Sequence, residues 1–381
     1  MKEQETGEKK IRTLTALLLM GITLLLPVLF LAMDKKEFSE NENRYLAKFP
    51  IWGLERIKEG EYMEDLESYL ADHFPFRDFF MEMKTKAEMW TGKKEINGIY
   101  MAKDGYLIEE YEKPENTERI GQILKTFAQE LEGQNAELRL MLVPTAVSVY
   151  REKLPDYAPV RNQMETARMI YEISGIEPVD CSGDLEAQKE KVELYYRTDH
   201  HWTTMGAYAG YQAYCRAAGL EAVALEEMTS RTAAEDFRGT VYSKSGDYGR
   251  KGDEIIIYTN PSDKLKVEYA DTGEVTDSLY NLEYADMKDK YSLFLDNLHS
   301  LIEITNETAD SDRELVLIKD SYANSMVPFL VHHYKRIYVF DTRYYKQGVS
   351  SFIKEHPGVT DVLLLYNMNT LDSDLGIRGV Y

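Results

Sequence analysis

Cysteine is nearly absent: Cys181 and Cys215 are the two in 381 residues. Neither lies in a C-x-x-C or C-x-x-H pattern, so a cysteine-built metal centre has little support. One disulfide at most could form between them, and two unpaired buried thiols fit the sequence equally well. Histidine is scarce too, with seven in all. Cations are outnumbered, 45 Lys and Arg against 66 Asp and Glu, giving a net charge of -21 at pH 7. A chain this acidic repels phosphate backbones, which removes nucleic acid from the candidate partners. Neutral polysaccharide and a small acyl donor remain compatible. No internal repeat or low-complexity tract is visible.

Long apolar runs are also lacking, with one exception. Leu14 to Met33 carries no charge over twenty residues, enough to cross a bilayer as a helix. Lys9, Lys10 and Arg12 precede it, a bias that keeps the tail 1–13 cytoplasmic and puts everything after residue 33 outside. A cleaved signal peptide competes with this reading. The run is long for an h-region, however, and no small-x-small site follows it. The expected organisation is a tail (1–13), a transmembrane helix (14–33), an extracytoplasmic neck (34–95) and one large domain (96–381).

Within the neck, residues 63–89 have helical apolar spacing, broken near Pro75. The large domain alternates strand and helix signals. Lys103-Asp104-Gly105 reads as a hairpin turn. Strands are expected at 138–143, 315–318, 337–340 and 362–365, and helices at 118–132, 164–173, 204–218 (N-cap Thr203), 324–332 and 349–355. That alternation implies an α/β fold, a parallel sheet flanked by helices. Residues 221–312 break the rhythm and read as a β-rich insertion.

Two stretches carry chemistry. Tyr196-Arg-Thr-Asp-His-His-Trp-Thr-Thr204 places one acid and two histidines in consecutive positions. Leu315-Val-Leu-Ile-Lys-Asp-Ser-Tyr322 is a strand-like run ending on Asp-Ser. Ser321, at a strand-to-helix turn, is a candidate nucleophile, although serine is also a common helix cap. Asp199 and His201, at i and i+2, can face one side, the carboxylate orienting the imidazole that serves Ser321. Adjacent histidines on an extended loop should point to opposite sides. His200 would then be a structural or substrate-side residue, and a metal site of Asp199, His200 and His201 the alternative. Asn367 after the 362–365 strand could donate to an oxyanion, or be a turn residue. Arg343 on another strand tip could bind substrate or pair with an acid. Trp202 could stack on a sugar or sit in the core. Tyr322 adjoins the nucleophile.

The Thr-Asp-His-His-Trp motif, the Glu40-Asn-Glu-Asn-Arg-Tyr-Leu46 segment after a membrane anchor, and Lys-Asp-Ser-Tyr together resemble the DHHW protein family. That family looks like a relative of alginate O-acetyltransferases with an SGNH-hydrolase-like domain. The resemblance implies a Ser321–His201–Asp199 triad, with Asn367 similar to the SGNH asparagine. This chain departs from the pattern in carrying Lys319 where Gly-Asp-Ser is usual and Tyr366-Asn367 where Gly-x-Asn-Asp is usual. It further implies O-acyl transfer, acetyl above all, to a cell-surface polysaccharide, with a membrane-bound acyltransferase as the partner supplying the acyl group. No cofactor and no metal are required. A carbohydrate esterase with the same triad and a non-catalytic polysaccharide-binding scaffold are the rival expectations.

Overall fold

The computed structural model describes residues 2–309 and 311–381. The chain forms two compact units, Met1–Gly92 with Gly246–Tyr248, and Lys93–Ser245 with Gly249–Tyr381.

In the first unit a helix spans Lys2–Ala32, and its Lys10–Ala32 portion is long and apolar enough to cross a membrane. Three helices follow, Leu54–Glu59, Glu61–Asp72 and Arg77–Trp90. Pro75 separates the last two, and Phe76 turns the chain with a left-handed backbone (φ 58°). The Glu40–Leu46 segment is clamped to the second helix. Arg44 donates to both oxygens of Asp72 (2.8 and 2.5 Å), and the Ala47 N–H adds a third bond at 2.8 Å. Arg44 holds the Asp72 carboxyl down to about 2.

The second unit is built on an eight-stranded sheet. Its strands are β1 (Glu137–Val143), β2 (Glu177–Pro178), β3 (Leu265–Tyr269), β4 (Val275–Thr276), β5 (Leu301–Asn306), β6 (Glu314–Lys319), β7 (Arg336–Phe340) and β8 (Asp361–Asn367), in the order β4-β3-β5-β7-β6-β8-β1-β2. From β7 to β2 the neighbours are parallel; β5, β3 and β4 add an antiparallel wing. The central strands are unbroken apolar runs because helices cover both their faces: Leu315–Ile318 and Val362–Leu365 are all buried. The edge strand β2 ends on Pro178, where a missing N–H costs no ladder bond.

Residues 221–312 are β-rich, as the sequence suggests. Their strands do two jobs. Thr229–Phe237 and Asp253–Thr259 form a ribbon, while β3 to β5 extend the main sheet. The expected helix at 324–332 is corrected. Ser321–Ser325 is a 3-10 turn and only Val327–Leu330 is α-helical. Pro328 explains this, since its ring would clash with the carbonyl four residues back in a helix begun at Asn324. The 204–217 helix starts where expected, with Thr203 Oγ1 accepting from the Gly206 N–H (3.3 Å).

The topology fixes one special place. From β6 the chain runs to β7 on one side, then returns to β8 on the other. At such a switch point the loops diverge and leave a crevice beyond the carboxyl ends of the strands. Ser321 follows β6 and Asn367 ends β8.

Candidate active site

Asp199, His201 and Ser321 meet at this crevice. Asp199 Oδ1 accepts from His201 Nδ1 at 2.5 Å, and His201 Nε2 lies 2.7 Å from Ser321 Oγ. With Nδ1 protonated, Nε2 is the acceptor and the serine hydroxyl donates to it. This is the order of groups that activates a serine.

Each residue of the 198–202 motif has its own task. Thr198 anchors the loop: its N–H and hydroxyl donate to Asp253 Oδ2 (2.9 and 2.5 Å), and Arg197 N–H donates to Asp253 Oδ1 (3.0 Å). Asp199 Oδ1 also accepts from the His201 N–H (3.0 Å), which closes a tight turn. Asp199 Oδ2 accepts from the N–H and hydroxyl of Thr240 (2.8 and 3.1 Å). Trp202 is a core residue with no exposed surface, its Nε1 donating to Tyr322 O (2.9 Å) and Ser325 Oγ (3.0 Å). The sugar-stacking possibility for Trp202 is thereby overturned. Gly210 in the following helix makes room for it, since a Cβ there would lie 2.8 Å from the indole.

The two histidines do not point apart. Their ring centroids are 3.8 Å from each other. The expectation assumed an extended loop, but the turn closed by Asp199 gathers both rings on one side. His200 Nδ1 donates to Thr240 Oγ1 (2.6 Å), whose own proton goes to Asp199. His200 is partly exposed while His201 is buried.

Sequence reasoning missed several supporting residues. Tyr291 stacks flat on His201, centroids 3.7 Å apart at 9°, and its hydroxyl donates to Ser321 O (3.0 Å). Gly239 lets Asp199 approach. Thr240, Asp253 and Tyr291 all come from the segment that breaks the strand-helix rhythm, where no local pattern marked them.

Charge follows from these contacts. Burial opposes ionisation of Asp199, yet His200, His201 and their hydrogen bonds overcome it and hold the carboxyl well below the usual carboxylate range. Burial, then the neighbouring His200, pushes His201 down to about 4 against the pull of Asp199. His201 is therefore a neutral base at pH 7. The ligand atoms of Asp199, His200 and His201 lie within 4.8 Å of one another. His201, however, has Nδ1 engaged by Asp199 and Nε2 by Ser321, so a cation would have to displace one of them.

The remaining candidates behave differently. Asn367 is fully engaged. Its Nδ2 donates to Asp320 Oδ2 (2.7 Å) and Thr370 Oγ1 (2.7 Å), and its Oδ1 accepts from Asn369 N–H and Thr370 N–H (2.9 Å each). It is a cap bound to Asp320, with no donor left for an oxyanion. Asp320, buried, also accepts from Tyr322 N–H (2.9 Å) and Asn367 N–H (2.7 Å), and burial pushes its carboxyl up to about 6. The Ser321 N–H has no hydrogen-bond partner among the described residues. Arg343 is held by Asp341 (2.8 and 2.5 Å), which also faces buried Lys319 at 3.8 Å. Tyr322 is buried and donates to His200 O (2.5 Å). Cys181 and Cys215 are both free and buried.

A cleft of about 680 Å³ has His200 and Thr240, the neighbours of His201 and Asp199, in its wall together with Glu109–Glu115, Asn369, Thr370, Asp372 and Ser373. A small inner pocket lined by Asp199, Tyr322 and Asn367 shares Glu109, His200 and Asn369 with it.

The DHHW protein family model matches residues 83–340. A DHHW family protein from Eubacterium siraeum DSM 15702 is similar in structure, with a TM-score of 0.66 and 26% identity over 75% of this chain and 95% of that one. Bacillus cereus PatB1, solved with a sulfonyl adduct, has the same fold at a TM-score of 0.60 and 22% identity over 73% and 97% of the two chains. Over 173 residues the chain is 24% identical to the probable alginate O-acetylase AlgJ of Pseudomonas syringae pv. tomato (strain ATCC BAA-871 / DC3000), matching 43% of this chain and 44% of that protein. The chain thus spans less than half the length of this curated relative.

Proposed function

The chain belongs to the DHHW protein family, and from that premise and the triad geometry we propose that it is a membrane-anchored O-acyltransferase working outside the cell membrane on a polysaccharide. The observation that carries the reading is the unbroken line Asp199–His201–Ser321, at 2.5 and 2.7 Å. The probable alginate O-acetylase activity of the AlgJ relative supplies the reaction type. The helix Lys10–Ala32 supplies the anchor.

Ser321 Oγ attacks the carbonyl carbon of the acyl donor as His201 Nε2 takes its proton. The Oγ–C bond forms and negative charge gathers on the carbonyl oxygen. The unpartnered Ser321 N–H is the donor available to that oxygen. Collapse expels the donor's alcohol, which takes the proton from His201, and leaves acyl-Ser321. A sugar hydroxyl then gives its proton to His201 and attacks the acyl carbon; the Oγ–C bond breaks, His201 returns the proton to Ser321 Oγ, and both residues are restored. Asp199 stays ionised and stabilises the imidazolium in both halves. The acyl group outside the membrane comes from a membrane-bound acyltransferase partner.

The test uses the full chain in detergent with 4-nitrophenyl acetate as donor and an oligosaccharide as acceptor. Phenylmethylsulfonyl fluoride should add to Ser321, located by peptide mass mapping, and stop both nitrophenol release and sugar acetylation. Nitrophenol release with water as the sole acceptor would make the protein an esterase. Absence of both adduct and release would leave only the scaffold reading.

A further inference from the structure

The cleft beside His200 has a charge that constrains its occupant. Five of its lining side chains are carboxylates and two are amines. They are not equivalent. Glu109 pairs with Lys244 at 2.6 Å. Asp372 is occupied by the N–H groups of Glu115 and Asn116 (2.8–3.0 Å). Glu110, Glu112 and Glu115 pair with no cation among the described residues, and Lys113 opposes them together with His200, whose imidazole, against the effect of burial, Asp199 raises above its ordinary value. Burial and the neighbouring carboxylates of Glu95, Glu112 and Glu109 push the Glu110 carboxyl up, as crowded negative charge does. The cleft adjoins the Asp199–His201 pair through His200 and Thr240 in its wall. It shares Glu109, His200 and Asn369 with the inner pocket at Asp199, and His200 lies 3.8 Å, ring to ring, from the base.

We propose that this cleft is the acceptor site, and that its free carboxylates admit an uncharged or amine-bearing sugar chain and exclude a polyuronate. The proposal rests on the acyl-transfer reading and deepens it by naming the acceptor class. Carboxylates suit such a chain because they accept hydrogen bonds from sugar hydroxyls and attract ammonium groups. A uronate would bring one more negative charge per residue into a space that already holds several, and like charges in apposition disfavour the wrong partner strongly. A volume near 680 Å³ is within the range of small-molecule clefts.

The experiment gives the full chain, in detergent, hexamers of N-acetylglucosamine, glucosamine and mannuronate, in mildly acidic buffer that keeps the glucosamine amine charged. Binding is read by titration calorimetry and transfer from 4-nitrophenyl acetate by mass spectrometry. The uronate hexamer should bind and be acetylated roughly tenfold less well than the neutral one at low salt, with the gap narrowing as salt screens the repulsion. In the double variant Glu112→Lys, Glu115→Lys, checked for folding by circular dichroism, the uronate-to-neutral ratio should rise by a similar factor. Equal or better uronate binding by the wild-type chain, or a ratio that the double variant leaves unmoved, overturns the proposal. Because binding is read without turnover, absent nitrophenol release strikes the serine mechanism and leaves the acceptor question decided by calorimetry.

Discussion

Replacing Gly239 by alanine puts a methyl carbon 2.0 Å from Asp199 Oδ2 and 2.4 Å from its Cγ. Ordinary contact begins near 3.4 Å, so the carboxylate has to retreat by more than about 1 Å, the scale of misplacement that costs roughly a hundredfold in rate. The backbone at 239 does not require glycine for its φ, so the effect comes from the clash alone. Retreat breaks the Thr240 N–H bond (2.8 Å) and draws Oδ1 away from His201 Nδ1. The imidazole then loses both its fixed tautomer and the charge that stabilises its protonated form. The expected outcome is a fall of at least about a hundredfold in kcat/KM for 4-nitrophenyl acetate, with slower labelling by phenylmethylsulfonyl fluoride. Circular dichroism should show a folded protein, since Gly239 lies in a loop before a short helix. A folded Gly239→Ala protein with near wild-type kcat/KM would refute the idea that Asp199 works from this position.

His201→Ala should lower ester cleavage by roughly a thousandfold or more, the scale of a lost triad member, while His200→Ala should cost far less, because only His201 touches Ser321 Oγ; a dead His200→Ala with an active His201→Ala reverses the assignment. On pH, a base must be neutral to act, and the depressed value of His201, about 4, keeps it neutral well below the ordinary histidine range. kcat/KM should therefore persist as pH falls through 6.5 and be lost only near 4; an acid limb centred at 6.5 or above contradicts that. On topology, the protein should fractionate with membranes, and protease added to spheroplasts or protoplasts should digest the part beyond residue 33. A soluble protein starting near residue 34 rules the anchor out.

The sheet was legible because burial on both faces demands continuous apolar runs. Leu315–Ile318 and Val362–Leu365 could hardly be anything but interior strands. The 198–202 motif was legible for a chemical reason: an acid and an imidazole two residues apart need no long-range information to find each other. Tyr291 and Thr240 were not, because each meets its partner across intervening helix and strand rather than within a local pattern. Tyr291 is 90 residues from His201 and Thr240 is 41 from Asp199. A tyrosine or threonine in such a position looks the same whether it faces a buried imidazole or solvent. The rule that adjacent side chains diverge also failed for a local reason. It belongs to extended backbone, and Asp199 bends that backbone by accepting the His201 N–H.

Asn367 shows how a correct position can carry a different task. Its place at the tip of β8, beside β6, follows from the parallel register, and an amide there could point at an oxyanion. Whether it does depends on what competes for it. Asp320, held in the interior by Lys319 on one side and Ser321 on the other, needs donors more urgently than the crevice does, since a buried carboxylate without them is costly. The Asn367 N–H and Nδ2 both answer that need at 2.7 Å, and the Asn367 carbonyl is drawn to the N–H groups of the next turn. The residue ties the end of β8 to the residue before Ser321. The Ser321 carbonyl accepts from the Tyr291 hydroxyl. The serine is thus held through its neighbour Asp320, which Asn367 binds, and through its own carbonyl, which Tyr291 binds. Its hydroxyl bonds His201, and its own N–H is left without a partner among the described residues.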